Sequence, residues 1–328
     1  MVDFFDFVVL SSIIIILPLV NDFLNNTFPN AKIGRIASEI VGSILVLFIF
    51  HLVIAGVWLW YTYYLPYYYT KESIYSLGSL NIFDIPSKVA KTPEEESSIR
   101  ISITLQAIFL FIVVTNIYHY FYRAIVADNY LPQLNKTKQQ KLSDEQREKL
   151  CSQCTIYSKD KWSSLHINNK SFHCKICKRC TNAMDHHCPF INNCVGINNH
   201  HYFYLFLTYT YLAMIYACFL TYYPFMDCVY NKSQDLKPMC IKMDKYSYIF
   251  LCCLIVITAA NGVFCFQNYL ISTNSKTVQL LRKLKKSKTY IEWFKWIIDN
   301  FKTNFSFNNY KQMFTNWKLY NIIIPYKK

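Results

Sequence analysis

Three observations predict an all-α integral membrane protein, with four transmembrane helices and a cysteine-rich domain between the second and third. The 328-residue chain is 53% hydrophobic and 18% aromatic, too apolar for an ordinary soluble domain. Four apolar stretches reach the ~20 residues that a helical span needs. Between the second and third lies a polar segment that holds seven of the thirteen cysteines. The spans must be helical, because each backbone group has to be satisfied within its own segment.

Residues 1–42 form an N-terminal segment. Its apolar run 7–20 is short for a span, and Asp3 and Asp6 precede it where a signal peptide carries positive charge. A peripheral, in-plane segment is expected there rather than a fifth span. Residues 43–122 hold the first two spans, 43–65 and 101–121, around a lumenal loop 66–100 that contains Pro66, Pro86 and Pro93. Trp58, Trp60, Tyr61, Tyr63 and Tyr64 make an aromatic belt at the end of the first span. Residues 123–201 form the cysteine-rich domain, in which 136–150 reads as a charged, exposed helix. Residues 202–271 hold the last two spans, 202–226 and 246–271. Residues 272–328 are a tail in which Ile291, Phe294, Ile298, Phe301 and Phe305 recur at helical spacing. They predict an amphipathic helix on the membrane surface or against the cysteine-rich domain.

Charge sets the orientation. Segments 123–201 and 272–328 carry twelve Lys/Arg each, and loops 66–100 and 227–245 carry four each. The positive-inside rule therefore places the cysteine-rich domain and tail in the cytosol and the two loops on the other side. The net charge of +14 is read as these membrane flanks, so the bilayer is the expected partner and nucleic acid is not. Cys228 and Cys240 bracket most of the second loop, where an oxidising compartment allows a disulfide.

The clustered cysteines read as metal ligands in a reducing compartment. Three Cys-x2-Cys steps occur, at Cys151/Cys154, Cys174/Cys177 and Cys177/Cys180. Zinc sites are usually tetrahedral, and such steps let two thiolates grip one ion. His173, His186 and His187 share the segment. Two closed sites need eight ligands, which six cysteines and two histidines supply, leaving one cysteine and one histidine for chemistry. This arithmetic does not choose the partition.

The run from Cys151 to Phe203 resembles the cysteine-rich domain of the DHHC-type protein S-acyltransferases, or palmitoyltransferases. That pattern is met by Cys151, Cys154, His173, Cys174, Cys177, Cys180, Asp185, His186, His187, Cys188, Cys194, Asn199 and Phe203. The resemblance implies that Cys188 is the acyl-carrying nucleophile, served by His186 and Asp185. It also implies two interleaved structural zinc sites: Cys151, Cys154, His173 and Cys180 in one, Cys174, Cys177, His187 and Cys194 in the other. A long spacer before His173 makes His166 a rival ligand; His173 is favoured because it directly precedes Cys174. The co-substrate implied is acyl-CoA, and the acceptors are cysteines of membrane-associated proteins.

Outside 151–203 the likeness is looser. Lys276-Thr277-Val278-Gln279 keeps only the second Thr of the family's T-T-x-E element. Asn309 to Thr315 partly matches a C-terminal N-x3-V-F-G motif, and Asp128-Asn129-Tyr130 stands where D-P-G is usual. Lys175, Lys178 and Arg179 are candidate contacts for CoA phosphates. Ala213, ten residues beyond Phe203, is a candidate end-point for an acyl tail. A RING-type ubiquitin ligase is disfavoured because its C-x-H-x2-C step is absent from 151–194. An inactive adaptor on the same fold is the other alternative. The location implied is an endomembrane, such as Golgi or endoplasmic reticulum, or the plasma membrane.

Overall fold

In the computed structural model, residues 32–70, 92–157, 164–166, 171–230, 240–241, 246 and 248–314 are described. The apolar run 7–20 lies outside them. Four helices among the described residues are long and apolar enough to cross a membrane, and the protein is a multi-pass membrane protein built mainly of helices.

The first span is α1 (Lys32–Leu59), continued by a π-helical turn Trp60–Tyr64 and a short α2 (Leu65–Thr70). The second is α3 (Pro93–Val126). Both run further into the expected loop 66–100 than hydropathy indicated. The start of α3 is a capping box. The Thr92 hydroxyl accepts from the Glu95 amide, the Glu95 carboxylate accepts from the Thr92 amide, and Pro93 follows in the first turn. The sequence Thr92-Pro93-Glu94-Glu95 carried that signal, which a proline-based loop reading overlooks.

The expected helix over 136–150 is two short ones, α4 (Lys136–Gln140) and α5 (Asp144–Glu148). Asn135 and Ser143 each cap a new start by accepting from the backbone three residues on. Ser143 so breaks a pattern whose charge alone looked continuous. After α6 (Ser152–Tyr157) come four three-residue strands: β1 (Phe172–Cys174), β2 (Arg179–Thr181), β3 (His186–Cys188) and β4 (Asn193–Val195). They pair as two antiparallel ladders, β1 with β2 and β3 with β4. These strands are too short for hydrophobic alternation to reveal.

The third span is α7 (His200–Phe225) with a π-helical extension Met226–Tyr230, and the fourth is α8 (Ile249–Ser272). The tail forms α9 (Thr277–Lys286), α10 (Tyr290–Asn304) and α11 (Phe307–Met313). Cys228 and Cys240 are joined by a disulfide.

The main apolar core lies where α1, α3 and α7 meet the β3–β4 ladder. Tyr120 and Phe121 of α3, Phe203 and Phe206 of α7, Ile191 and Cys188 form its buried centre. Phe111 is 72% and Ile255 67% exposed, as lipid-facing residues of spans are. Asparagines hold the cysteine-rich domain on this bundle. Asn193 donates to the Ile125 and Ala127 carbonyls (2.9 and 3.0 Å), and Asn199 to those of Ala124 and Cys194 (2.9 and 3.0 Å). Buried Asn129 donates to the Cys194 carbonyl as well, at 3.0 Å. The α3 carbonyls bonded here belong to its last turn or just beyond, where helical partners run out.

Candidate active site and metal centres

Side chains alternate between the faces of a strand, and residues directly opposite in an antiparallel pair share a face. In β1–β2, His173 lies opposite Cys180 while Cys174 lies opposite Arg179. His173 and Cys180 thus share one face, and Cys174 turns to the other. In β3–β4, His187 lies opposite Cys194, flanked by the His186–Val195 and Cys188–Asn193 pairs. His187 and Cys194 therefore share a face that His186 and Cys188 avoid.

Two groups of donors result: Cys151, Cys154, His173 and Cys180, and Cys174, Cys177, His187 and Cys194. In each group the ligating atoms all lie within 4.8 Å of one another, so each can hold a metal ion. In the first, His173 Nδ1 is 3.2 Å from Cys154 Sγ and 3.6 Å from Cys180 Sγ. In the second, His187 Nδ1 is 3.3 Å from Cys177 Sγ, 3.7 Å from Cys174 Sγ and 3.8 Å from Cys194 Sγ. Bonds of about 2.0–2.3 Å at tetrahedral angles put N and S ligands about 3.5 Å apart, so both donor sets fit zinc. The rival His166 also approaches the first group, with Nε2 3.1 Å from Cys180 Sγ, but it is outside the mutually close four. The left-handed φ of 52° at Lys178 turns the chain between Cys177 and Cys180.

Cys188 and His186 are the pair left over. Two apart on β3, they lie on one face, which puts the His186 imidazole beside the Cys188 thiol. Cys188 is 4% exposed. Burial by itself pushes its thiol up, but the His186 hydrogen bond and charge outweigh this and hold the thiol below its usual value. Burial opposes the charged form of His186 too. Hydrogen bonds to Asp185 and Cys188 prevail and raise it to about 10. His186 Nδ1 donates to Asp185 Oδ2 at 2.8 Å. The Phe203 ring meets the imidazole edge-on, 5.4 Å between centroids.

Asp185 is fully buried. Burial favours its neutral form, yet the His186 hydrogen bond and charge, with further help from Lys276, keep it below the usual carboxylate range. The Thr277 amide donates to Oδ1 at 2.7 Å and the Thr277 hydroxyl to Oδ2 at 3.0 Å. The one residue of the tail element kept in the looser motif is thus bonded to the aspartate.

The DHHC palmitoyltransferase family model matches residues 144–284. A ZDHHC-type protein of Dictyostelium discoideum is 48% identical over 369 aligned positions, which cover 100% of this chain and 98% of that one. The chain belongs to the DHHC palmitoyltransferase family. Palmitoyltransferase ZDHHC7 of Rattus norvegicus is 34% identical over 118 residues, 35% of this chain and 38% of its own. Protein S-acyltransferase 8 of Arabidopsis thaliana is 30% identical over 137 residues, 42% and 31% of the two chains. The activity of this DHHC protein is that of its family, protein S-palmitoyl transfer.

The structure also places the weaker motifs. Asn309 donates to the Ser272 carbonyl at 2.7 Å, and Phe314 packs against the core around Cys188. Arg179, a candidate for CoA phosphates, instead stacks over the Tyr130 ring, 4.1 Å from its centroid. Sequence reasoning missed Asn129 and Asn193, whose signal was only a polar side chain beside a metal ligand or a helix end.

Proposed function

We propose that this enzyme moves a long-chain acyl group, palmitoyl or similar, from acyl-CoA to cysteine thiols of membrane-associated proteins through a thioester on Cys188. The observation that carries this reading is the line Asp185–His186–Cys188, with the hydrogen bond between His186 and Asp185 and the lowered thiol of Cys188 on the same strand face. A thiolate is the nucleophile that thioester chemistry needs. In the first step Cys188 Sγ attacks the thioester carbonyl carbon of acyl-CoA. The thiol proton is held by His186, the bond to the CoA sulfur breaks, and His186 returns the proton to the leaving CoA thiolate. In the second step an acceptor cysteine gives its proton to His186 and attacks the acyl-Cys188 carbonyl. Cys188 leaves and takes the proton back. Asp185 orients the imidazole and stabilises its charged form throughout.

Cys151, Cys154, His173 and Cys180 would hold one zinc ion and Cys174, Cys177, His187 and Cys194 the other. Zinc there supplies a structural cross-link whose binding energy is folding energy. The acyl tail would lie among α1, α3 and α7, whose buried apolar core includes Cys188 itself. The charge distribution supports a cytosolic cysteine-rich domain and tail, in an endomembrane such as Golgi or endoplasmic reticulum, or in the plasma membrane. The test is radiolabelled palmitoyl-CoA with the purified full chain. A hydroxylamine-sensitive label on wild type that Cys188→Ser lacks is the expected result. Equal labelling of Cys188→Ser would overturn the assignment.

A further inference from the structure

Beyond Thr277 and His186, Asp185 meets a third donor. Gln267 of α8 is buried, and its Nε2 lies 3.4 Å from Asp185 Oδ2. Gln267 Oε1 is 3.0 Å from Nε2 of the buried His200 on α7. His200 Nδ1 is 2.9 Å from Nζ of Lys276, the residue just before α9. The chain Lys276–His200–Gln267–Asp185 thus joins three helices to the carboxylate.

Its donors and acceptors run one way only. An ionised carboxylate can only accept, and an ammonium can only donate. Gln267 must therefore turn its NH2 to Asp185 and its carbonyl to His200. His200 must then carry its hydrogen on Nε2 and accept at Nδ1, from Lys276. Reversing either middle group breaks two bonds. Successive hydrogen bonds of this kind polarise one another in the same sense.

We propose that Lys276, His200 and Gln267 are positioning residues for acyl transfer, a directional hydrogen-bond chain that fixes Asp185 Oδ2 towards His186. The carboxylate sets the polarity at one end and Lys276 closes it at the other. Without Lys276 the His200 Nδ1 loses its charged donor, and the hydrogen bonds from His200 to Gln267 and from Gln267 to Asp185 lose the polarisation that it supplies. Gln267 and Lys276 lie outside the run from Cys151 to Phe203, and His200 is not one of its fixed positions. Lys276 stands where the looser tail element departs from its family form.

The inference rests on the reading of Cys188 as acyl carrier, and the experiment separates the two. Single-turnover loading of Cys188 from radiolabelled palmitoyl-CoA is measured on the full chain in detergent, together with its zinc content. Wild type that carries no thioester would sink the underlying reading. Given a loaded wild type, Lys276→Met and Gln267→Met should each lower the maximal loading rate by about tenfold, the scale of one hydrogen bond to a charged group. The half-saturating palmitoyl-CoA concentration and the zinc content should not move. The double variant should be no slower than either single one. His200→Gln can still accept from Lys276 and donate to Gln267, so it should stay near wild type, whereas His200→Phe should fall with the others. An unchanged rate in zinc-replete Lys276→Met overturns the proposal. So does a higher half-saturating concentration at full maximal rate, which would make Lys276 a CoA-phosphate contact. If Gln267→Met loses zinc, the comparison of Lys276→Met with His200→Gln carries the test alone.

Discussion

His187 lies directly across the β3–β4 ladder from Cys194, and that one register separates metal from chemistry. A strand alternates faces, so His187 joins the second cluster while His186 and Cys188 turn from it together. The assignment gives a metal count. Pure protein should contain two zinc ions per chain. Cys188→Ser should keep both and lose all acylation, whereas His187→Ala should lose one ion and lower the melting temperature, because metal binding is folding energy here. Metal analysis showing fewer ions in Cys188→Ser would show that the wrong cysteine had been set free.

The pH dependence follows from His186. Its hydrogen bond and charge lower the Cys188 thiol, and its own value is raised to about 10. The thiolate is therefore present below the ordinary thiol value of about 8.5, and the imidazolium beside it persists up to about 10. Wild-type loading should reach its plateau at a lower pH than an ordinary thiol would allow. In His186→Gln the thiol loses that support, so loading should be more than tenfold slower at pH 7 and still rising through pH 8.5. Rate–pH profiles of the same shape for both proteins would remove His186 from this role.

The sequence made the spans and the eight clustered Cys and His donors legible for different reasons. Spans are read from sheer apolar length, and ligands from short fixed steps such as Cys174-x2-Cys177. The way the ligands pair was not legible from the steps. It depends on the ladders that set His173 opposite Cys180 and His187 opposite Cys194, in strands of three residues. The partners of Asp185 were harder still. Thr277 comes to it from 92 residues away, and Gln267 and His200 reach it only once α7, α8 and α9 have packed. No local pattern records such a meeting.

The Cys228–Cys240 disulfide lies beyond the far end of α7 from the cysteine-rich domain. Non-reducing peptide mapping should recover the two cysteines as one linked pair. Closing so short a loop limits the unfolded chain, by about 3 kcal/mol for loops of this size. Cys228→Ser should therefore lower thermal stability while leaving the zinc content at two. Two free thiols in protein from an oxidising compartment would contradict the pairing.

Gly196 sits between the β3–β4 ladder and the start of α7. A Cβ there would fall 2.8 Å from the Asn182 carbonyl oxygen and 2.9 Å from Thr181 Cγ2. The backbone oxygen has no rotamer through which to retreat. Gly196→Ala should destabilise the cysteine-rich domain by about 1–3 kcal/mol, the usual cost of overpacking. The readout is a thermal melt together with zinc retention under a chelator. A melt equal to wild type would mean that the ladder can shift to admit the methyl group.

Acyl-chain preference offers the last test. The core around Cys188 continues along α7 from Phe203 through Phe206 and Tyr209 to Ala213. Ten residues at 1.5 Å each make Ala213 about 15 Å deeper than Phe203, roughly half of the ~30 Å hydrocarbon core. A sixteen-carbon tail matches about one leaflet, so its end should come to this level. Tyr209 and Tyr216 are bulky, and Ala213, which packs against the same core as Val46, Ile49, Phe50 and Val53 of α1, is the small residue between them. Wild type should accept stearoyl-CoA about as well as palmitoyl-CoA. Ala213→Phe should shift loading towards fourteen-carbon and shorter chains at an unchanged zinc content. Competition between acyl-CoAs of graded length reads this directly. A folded Ala213→Phe variant with the wild-type length profile would show that the tail ends elsewhere, and that the alanine serves only the close packing of α7 against its neighbours.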